Sequence, residues 1–276
     1  MTPATMAGTA TEGLRAAAAN ALGTGGAAVV IGYARRNGAS GASPVFARTA
    51  EQAATLVFDN TCKANLTVYL AKPEVRKMGR IGLVVKRRDL RAVNVLIREH
   101  VVKREDLYLI GIACDGEDMA GCDEAVVVAA EQMPAETAPD SEAIAEFEAK
   151  TAEERWGFWR GQFEKCIRCY ACRQVCPLCY CKRCIVEKNA PQWVDTSAHL
   201  RGNTAWNAIR AFHLTGRCVG CGECERACPM DIPLGLLNQK MALLVRDWFQ
   251  FESGASPEER APFTVWSPDD ADQGIL

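Results

Sequence analysis

Eleven of the chain's fourteen cysteines fall between residues 166 and 228, and eight of these form two runs of one spacing. The first reads Cys166-Ile-Arg-Cys169-Tyr-Ala-Cys172-Arg-Gln-Val-Cys176-Pro177. The second reads Cys218-Val-Gly-Cys221-Gly-Glu-Cys224-Glu-Arg-Ala-Cys228-Pro229. Three thiols at two-residue intervals, then a fourth three residues on and a proline, is the spacing of [4Fe-4S] ligation. A zinc ribbon uses two C-x2-C pairs and has no use for a fourth cysteine ahead of proline. A disulfide framework needs an oxidising compartment. The first thirty residues lack the basic start and apolar core of a signal peptide, and no twin-arginine leader precedes the first apolar run. The expected location is cytoplasmic, where dense cysteine points to metal.

The runs resemble those of bacterial-type two-cluster ferredoxins, in which the fourth cysteine of each run crosses to the other cube. That resemblance implies one [4Fe-4S] cluster on Cys166, Cys169, Cys172 and Cys228, and a second on Cys218, Cys221, Cys224 and Cys176. The prolines end each run and steer its last cysteine away from its neighbours, since the ring fixes φ. The gap between the runs is about forty residues, where a compact ferredoxin has a short hairpin. A helix is expected over 203–214, carrying Trp206, Ile209, Arg210 and His213. Another is expected to start at Pro233, with Leu234, Leu237, Met241, Leu244, Val245 and Trp248 on one face. Together with Cys228-Pro-Met-Asp-Ile-Pro233, this is similar to the helical ferredoxin module of succinate dehydrogenase iron–sulfur subunits and heterodisulfide reductases.

The 276 residues suffice for two domains. All six tryptophans lie at or beyond Trp156, which places a boundary near 131–155. The expected fold class is α/β: a small parallel-sheet N-terminal domain over 1–130, followed by an acidic linker and helix over 131–155. A mainly α-helical two-cluster ferredoxin domain then spans 156–252, and a polar tail over 253–276 is read as extended over a neighbour or partly disordered. A net charge of -2 gives no reason to expect nucleic acid, and no run of 18 apolar residues exists to span a membrane.

In the N-terminal half, 11–22 reads as a helix, 27–33 and 44–48 as strands, and 50–58 and 60–70 as helices. The last has Cys62, Leu66, Tyr69 and Leu70 on one face, so Cys62 reads as a core residue. Residues 80–113 form a β-α-β pattern, with Asp89 as the expected helix cap and parallel strands joined by a right-handed crossover. Ligands in such sheets bind beyond the strand C-termini. Here those ends are Lys86-Arg87-Arg88-Asp89 and Cys114-Asp115-Gly116. Lys86, Arg87 and Arg88 are either a seat for phosphate or a flavin side chain, with Cys114 and Asp115 nearby, or a solvated basic loop.

Ala28-Val-Val-Ile-Gly-Tyr33, Asn60-Thr-Cys62-Lys-Ala-Asn-Leu66, Ile81-Gly-Leu-Val-Val-Lys86 and Leu109-Ile-Gly-Ile-Ala-Cys114 resemble the β-subunit family of F420-reducing hydrogenase and F420-linked formate dehydrogenase. The likeness is to the bacterial branch, which fuses this domain to a two-cluster ferredoxin. It implies an iron–sulfur subunit that exchanges electrons with FAD or FMN and with other subunits of an oxidoreductase complex.

Residues 62–110 carry twelve Lys and Arg against five Asp and Glu, while 111–155 carry two against thirteen. These read as two solvated faces or as a surface for a cofactor or partner. Trp156, Trp159 and Phe163 share a helical face leading into Cys166, read as packing on the first cluster. Cys179, Cys181 and Cys184 are left over. Either they hold a third metal site, with Cys62, Cys114, His199 or His213 as fourth ligand, or they are core and redox-silent residues. No nucleophile–base pair, carboxylate dyad or phosphate loop is visible in the sequence. The leading expectation is an electron-transfer subunit of a formate dehydrogenase, hydrogenase or heterodisulfide-reductase-like complex. The alternative is a flavin enzyme that reduces a soluble acceptor such as a deazaflavin.

Overall fold

The computed structural model describes residues 10–36, 38–113, 126–130, 133 and 142–266. The N-terminal unit runs α1 (Ala10–Leu22), β1 (Val29–Arg35), β2 (Ala42–Ala47), α2 (Ala50–Ala53), a 3-10 turn (Leu66–Ala71), α3 (Pro73–Arg76), β3 (Ile81–Lys86), α4 (Arg87–Arg98), β4 (Leu107–Ala113) and β5 (Val126–Ala129). The helical unit follows with α5 (Glu142–Glu148), α6 (Ala152–Glu164), α7 (Ala171–Gln174), α8 (Leu200–His213), α9 (Glu223–Arg226) and α10 (Leu234–Phe249).

The sheet order is β2-β1-β3-β4-β5. β1, β3 and β4 are parallel, while β2 and β5 pair antiparallel at the edges. The expected β-α-β unit is β3-α4-β4, and the sheet as a whole is mixed. The parallel strands read as continuous apolar runs because both faces are covered, as in Val29–Ala34 and Ile81–Val85. Each fully buried side chain of the size of Leu83 or Ile112 contributes about 1.5–3 kcal/mol. Gly82 is required in β3, because a Cβ there would lie 2.7 Å from Val30 Cγ2.

Two expected helices differ. The one over 50–58 stops at Ala53. The one over 60–70 is a loop followed by the 3-10 turn. Asp59 accepts from the Thr61 backbone N–H at 2.8 Å, and Asn65 caps the turn through Thr67 N at 3.0 Å. Such side-chain bonds compete with helix formation. Cys62, Leu66 and Leu70 are nonetheless fully buried. Asp89 is not a cap either. Lys86 occupies that position, and α4 begins at Arg87 directly after β3, with no basic loop between them.

The helical unit starts from a capping box in which Thr151 and Glu154 satisfy each other's backbone. α6 packs on α8, and α10 packs on α8 and α9. The stripe expected along α10 is only partly covered: Leu234 and Val245 are buried, and Trp248 is 72 % exposed. The start of the tail is docked on the N-terminal unit. Arg91 of α4 donates to the Ser253 carbonyl at 2.7 Å, and Asn94 donates to the Gly254 carbonyl at 3.0 Å. Gly254 has φ +78, and any Cβ there would collide with the Arg91 carbonyl oxygen.

Two main hydrophobic cores result, beside a small third of Val245, Phe251 and Ala261. One fills the α/β unit and reaches Leu178, Leu214 and Val219 of the helical unit, with Cys176, Cys179, Cys218 and Cys221 packed against it. The other lies within the helical unit around Cys172, Trp206, Cys224, Ile232 and Leu234, with Cys166, Cys184 and Cys228 at its edge. Among the described residues no helix is long and apolar enough to cross a membrane.

Candidate iron–sulfur site

The two cysteine runs share one backbone path. In the first, Arg168 and Tyr170 have φ 59 and 58; at the equivalent positions of the second, Gly220 and Gly222 have φ 68 and 72. Each run then makes one helical turn, α7 or α9, before its last cysteine and proline. Left-handed residues at these positions let successive backbone N–H groups form an anion-binding concavity. Glycine adopts that geometry freely, whereas Arg and Tyr must be held in it.

The first run is held by buried polar groups. Asn203 on α8 is fully buried, and its amide donates to the carbonyls of Phe163 at 2.9 Å and Cys166 at 2.8 Å. Arg168 is buried and donates to the Asp195 carbonyl at 2.8 Å and to the Gly202 carbonyl. Tyr170 meets Trp206 edge-on with ring centroids 5.1 Å apart. The aromatic cover of this run is therefore Tyr170 and Trp206. The expected face of Trp156, Trp159 and Phe163 supplies only Phe163 as a buried residue, and Trp156 is 54 % exposed.

The second run is held against the sheet. Glu223 accepts from the Asn65 backbone N–H at 3.1 Å and pairs with Arg226, which also donates to the Cys221 carbonyl at 2.7 Å. Asn238 of α10 reaches Cys224 Sγ at 3.5 Å. This run thus sits near the C-terminal end of β3, the part of a parallel sheet where ligands are expected.

The thiols converge. Cys176, Cys218, Cys221 and Cys224 act on one another electrostatically, and Cys172 lies within range of Cys166, Cys169 and Cys224. Burial pushes the Cys172 thiol up to about 11 and the Cys218 thiol up to about 12. Burial also raises Cys221. Cys176 is raised first by its hydrogen bond with Cys179 and then by burial. Thiols held neutral in this way ionise when they ligate a cation.

Arg210 tests that fit. It is 4 % exposed, and among the described residues it has no carboxylate partner. Among the described residues its Nε also has no hydrogen-bond partner. The anion-forming groups that act most strongly on it are Cys176, Cys224, Cys179 and Cys172. An isolated buried charge costs several kcal/mol. A thiolate-held iron–sulfur group is anionic, so the donors and this buried cation both fit it.

The other candidate positions are dispersed. Cys179 bonds with Cys176, Cys181 is exposed, and Cys184 packs in the helical core. Cys62 is in the α/β core, where burial pushes its thiol up to about 11. His199 caps α8 and pairs with Asp195 at 3.0 Å, and His213 closes the same helix. Among the described residues no three His, Cys, Asp or Glu side chains group to hold a single metal ion.

Lys86 turns inward. Its ammonium lies 2.8 Å from the Tyr33 hydroxyl, 3.0–3.2 Å from the carbonyls of Cys62, Lys63 and Ala64, and 3.1 Å from Asp89 Oδ2. Its charge is spent on the protein's own backbone. Arg87 and Arg88 are half-buried in the first turn of α4. Cys114 and Asp115 lie outside the described residues. A cleft of about 730 Å³ instead opens beside Cys176 and Cys179, lined with Lys72, Arg76, Arg173 and Lys182.

Sequence reasoning missed Arg210, Asn203 and Lys86 in these roles. A signal existed on α8: Asn203, Trp206, Asn207 and Arg210 share a helical face, and all four are buried. A face that alternates polar residues with tryptophan suggests lining of a polar interior.

Fold and site together define an iron–sulfur electron-transfer protein, built from a cysteine-rich helical module docked on an α/β sheet. Residues 165–233 match the family model described as a 4Fe-4S dicluster domain. The chain is also 37% identical over 112 residues to the F420-dependent formate dehydrogenase subunit beta of Methanocaldococcus jannaschii, covering 39% of this chain and 29% of that protein. It is 33% identical over 100 residues to the F420-dependent formate dehydrogenase 1 subunit beta of Methanococcus maripaludis, covering 36% and 25% respectively. The chain is thus a partial relative of these β subunits and carries a dicluster domain, as its motifs imply. The matches span between a quarter and three-tenths of the relatives' length.

Proposed function

We propose that this chain is an electron-wiring subunit of a cytoplasmic oxidoreductase complex of the formate dehydrogenase, hydrogenase or heterodisulfide-reductase-like kind. Cys166, Cys169, Cys172 and Cys228 would hold one [4Fe-4S] cluster, and Cys218, Cys221, Cys224 and Cys176 a second. The observation that carries this reading is the repeated loop, with positive φ at equivalent positions of both runs. Each bound cluster supplies reversible one-electron storage. The protein's part is to bury or half-bury every run cysteine but the exposed Cys169, to aim backbone N–H groups at them, and to exclude water with Tyr170, Trp206 and the α/β core. The kinship with formate dehydrogenase β subunits supports a role among other subunits.

Anoxic reconstitution with iron and sulfide tests this. The expected result is about eight iron atoms per chain and two EPR signals after dithionite reduction. About four iron atoms, or zinc in their place, would sink the two-cluster reading, and about twelve would restore a third site at Cys179, Cys181 and Cys184. Pull-down of the native complex identifies the partner subunits; recovery of the chain alone would argue against the wiring role.

A further inference from the structure

The cleft of about 730 Å³ opens where the two units meet. Lys72 and Arg76 reach it from the N-terminal unit and Arg173 and Lys182 from the helical unit, and Cys176 and Cys179 also line it. Among the described residues no carboxylate does so. Two of the four cations are engaged within the protein: Arg173 pairs with Glu187 at 2.7 Å, and Arg76 donates to the Val101 carbonyl at 2.8 Å. The side chains of Lys72 and Lys182 have no hydrogen bond or ion pair among the described residues. Lys77 and Arg183, which follow Arg76 and Lys182 in the chain, are exposed as well. This basic surface belongs to a chain whose net charge is -2.

We propose that this cleft is the docking site of a small acidic electron-carrier protein with a one-electron centre. One electron passes there between the carrier's centre and the cluster on Cys176, Cys218, Cys221 and Cys224. What one centre loses the other gains, and no bond is made or broken. A cleft walled by one sign of charge focuses its field and draws in the opposite sign. Here the cations come from both units and continue past the cleft, a spread that suits a carboxylate-rich protein surface better than a single small anion. Cys176 brings the second cluster to the wall against which the carrier would rest. Transient redox encounters bury little surface, so steering by charge sets their rate more than contact area does. This inference rests on the two-cluster reading above.

The test uses the full chain, reconstituted as before, with an acidic plant-type [2Fe-2S] ferredoxin as the probe. Stopped-flow absorbance follows electron exchange between the two at increasing salt. The wild-type rate constant should fall as ionic strength rises. The double variant Lys72→Glu with Lys182→Glu should lower it at least about tenfold at low salt and flatten its salt dependence. Arg160→Glu with Lys150→Glu makes the same change in net charge on exposed residues outside the cleft, and it should lower the rate far less. Lys72→Gln with Lys182→Gln should fall between, and it decides if charge reversal costs iron. No exchange, no effect of the cleft variants, an equal fall in the control pair, or a wild-type rate indifferent to salt would overturn the inference while leaving the two-cluster reading intact. Saturable binding of inorganic pyrophosphate that the cleft variants lose, with ferredoxin exchange unchanged, would make this a small-anion site and overturn it too. A wild type that takes up no iron rejects the two-cluster reading. Carbodiimide coupling of ferredoxin carboxylates to the chain then decides the docking: coupling at Lys72 or Lys182 supports it, and coupling elsewhere or none overturns it.

Discussion

The two cysteine runs trace one path with different chemistry. At the turning positions the second run uses Gly220 and Gly222, while the first uses Arg168 and Tyr170. Cys218 and Cys221 of the second run pack on the α/β core together with Cys176 of the first, while Cys166 and Cys172 of the first lie in the helical core together with Cys224 and Cys228 of the second. A glycine loop needs no help to adopt left-handed φ and can be seated by neighbours such as Glu223 and Asn65. The first run must be clamped, and it uses the strained residues themselves: Arg168 reaches two carbonyls, and Tyr170 packs on Trp206. One geometry is thus reached by backbone freedom in one place and by side-chain bonding in the other.

The largest expected effect breaks the pairing of runs and sets. Cys172→Ser and Cys176→Ser change residues four apart in one run, yet they should each remove a different EPR signal and about four of about eight iron atoms. Loss of the same signal in both variants contradicts crossed ligation. Next in size is Lys86→Met, which leaves the Cys62 carbonyl and Asp89 without their ammonium partner, while the Ala64 carbonyl keeps the Tyr33 hydroxyl. Breaking a buried pair in this way costs about 3–5 kcal/mol. Urea unfolding should show that loss, and iron should leave the second set first, because Asn65 beside the Lys86 cradle holds Glu223. The first set is the one to suffer in Asn203→Ala, which removes two donated bonds at the entry to Cys166. About 1–3 kcal/mol is expected, with preferential loss of the Cys172-dependent signal. Equal loss at both sets in either variant would mean that the two runs are not separately supported.

The sequence exposes the two cysteine runs because thiol spacing is a local property, and it exposes β3-α4-β4 because parallel strands are uniformly apolar. Residues acting across the fold are less visible. Lys86 reads as a free cation in a basic stretch; only the arrival of the 62–65 loop at the end of β3 makes it a carbonyl-bound ammonium. Arg210 reads only as one of the residues of the expected 203–214 helix and Asn203 as its start, because periodicity says nothing of which backbone carbonyls a buried polar side chain will reach. Ser253 and Gly254 read as tail, because nothing local announces that Arg91 will bind there. Glycines at two turning positions announce the second loop. The same conformation in the first run is hidden by the identities of Arg168 and Tyr170.

The smallest effect sharpens the comparison most. Gly220 has φ +68 and open space around the site of a Cβ, so Gly220→Ala isolates the backbone term. Placing an L-residue there costs roughly 1–2 kcal/mol. Gly222→Ala adds a contact with the Arg226 guanidinium, 2.7 Å from the new Cβ, which can yield because it is the end of a flexible side chain. Both variants should retain iron and lose stability to denaturant by similar amounts. Arg168→Gly provides the reverse test: it relieves the same backbone strain but removes the bonds to Gly202 and Asp195. Since those bonds are charge-assisted and buried, their loss outweighs the relief, and Arg168→Gly should be the more destabilising change. A neutral Gly220→Ala, or a stabilising Arg168→Gly, would show that the left-handed turns are set by the bound iron–sulfur group and not by the residues that carry them.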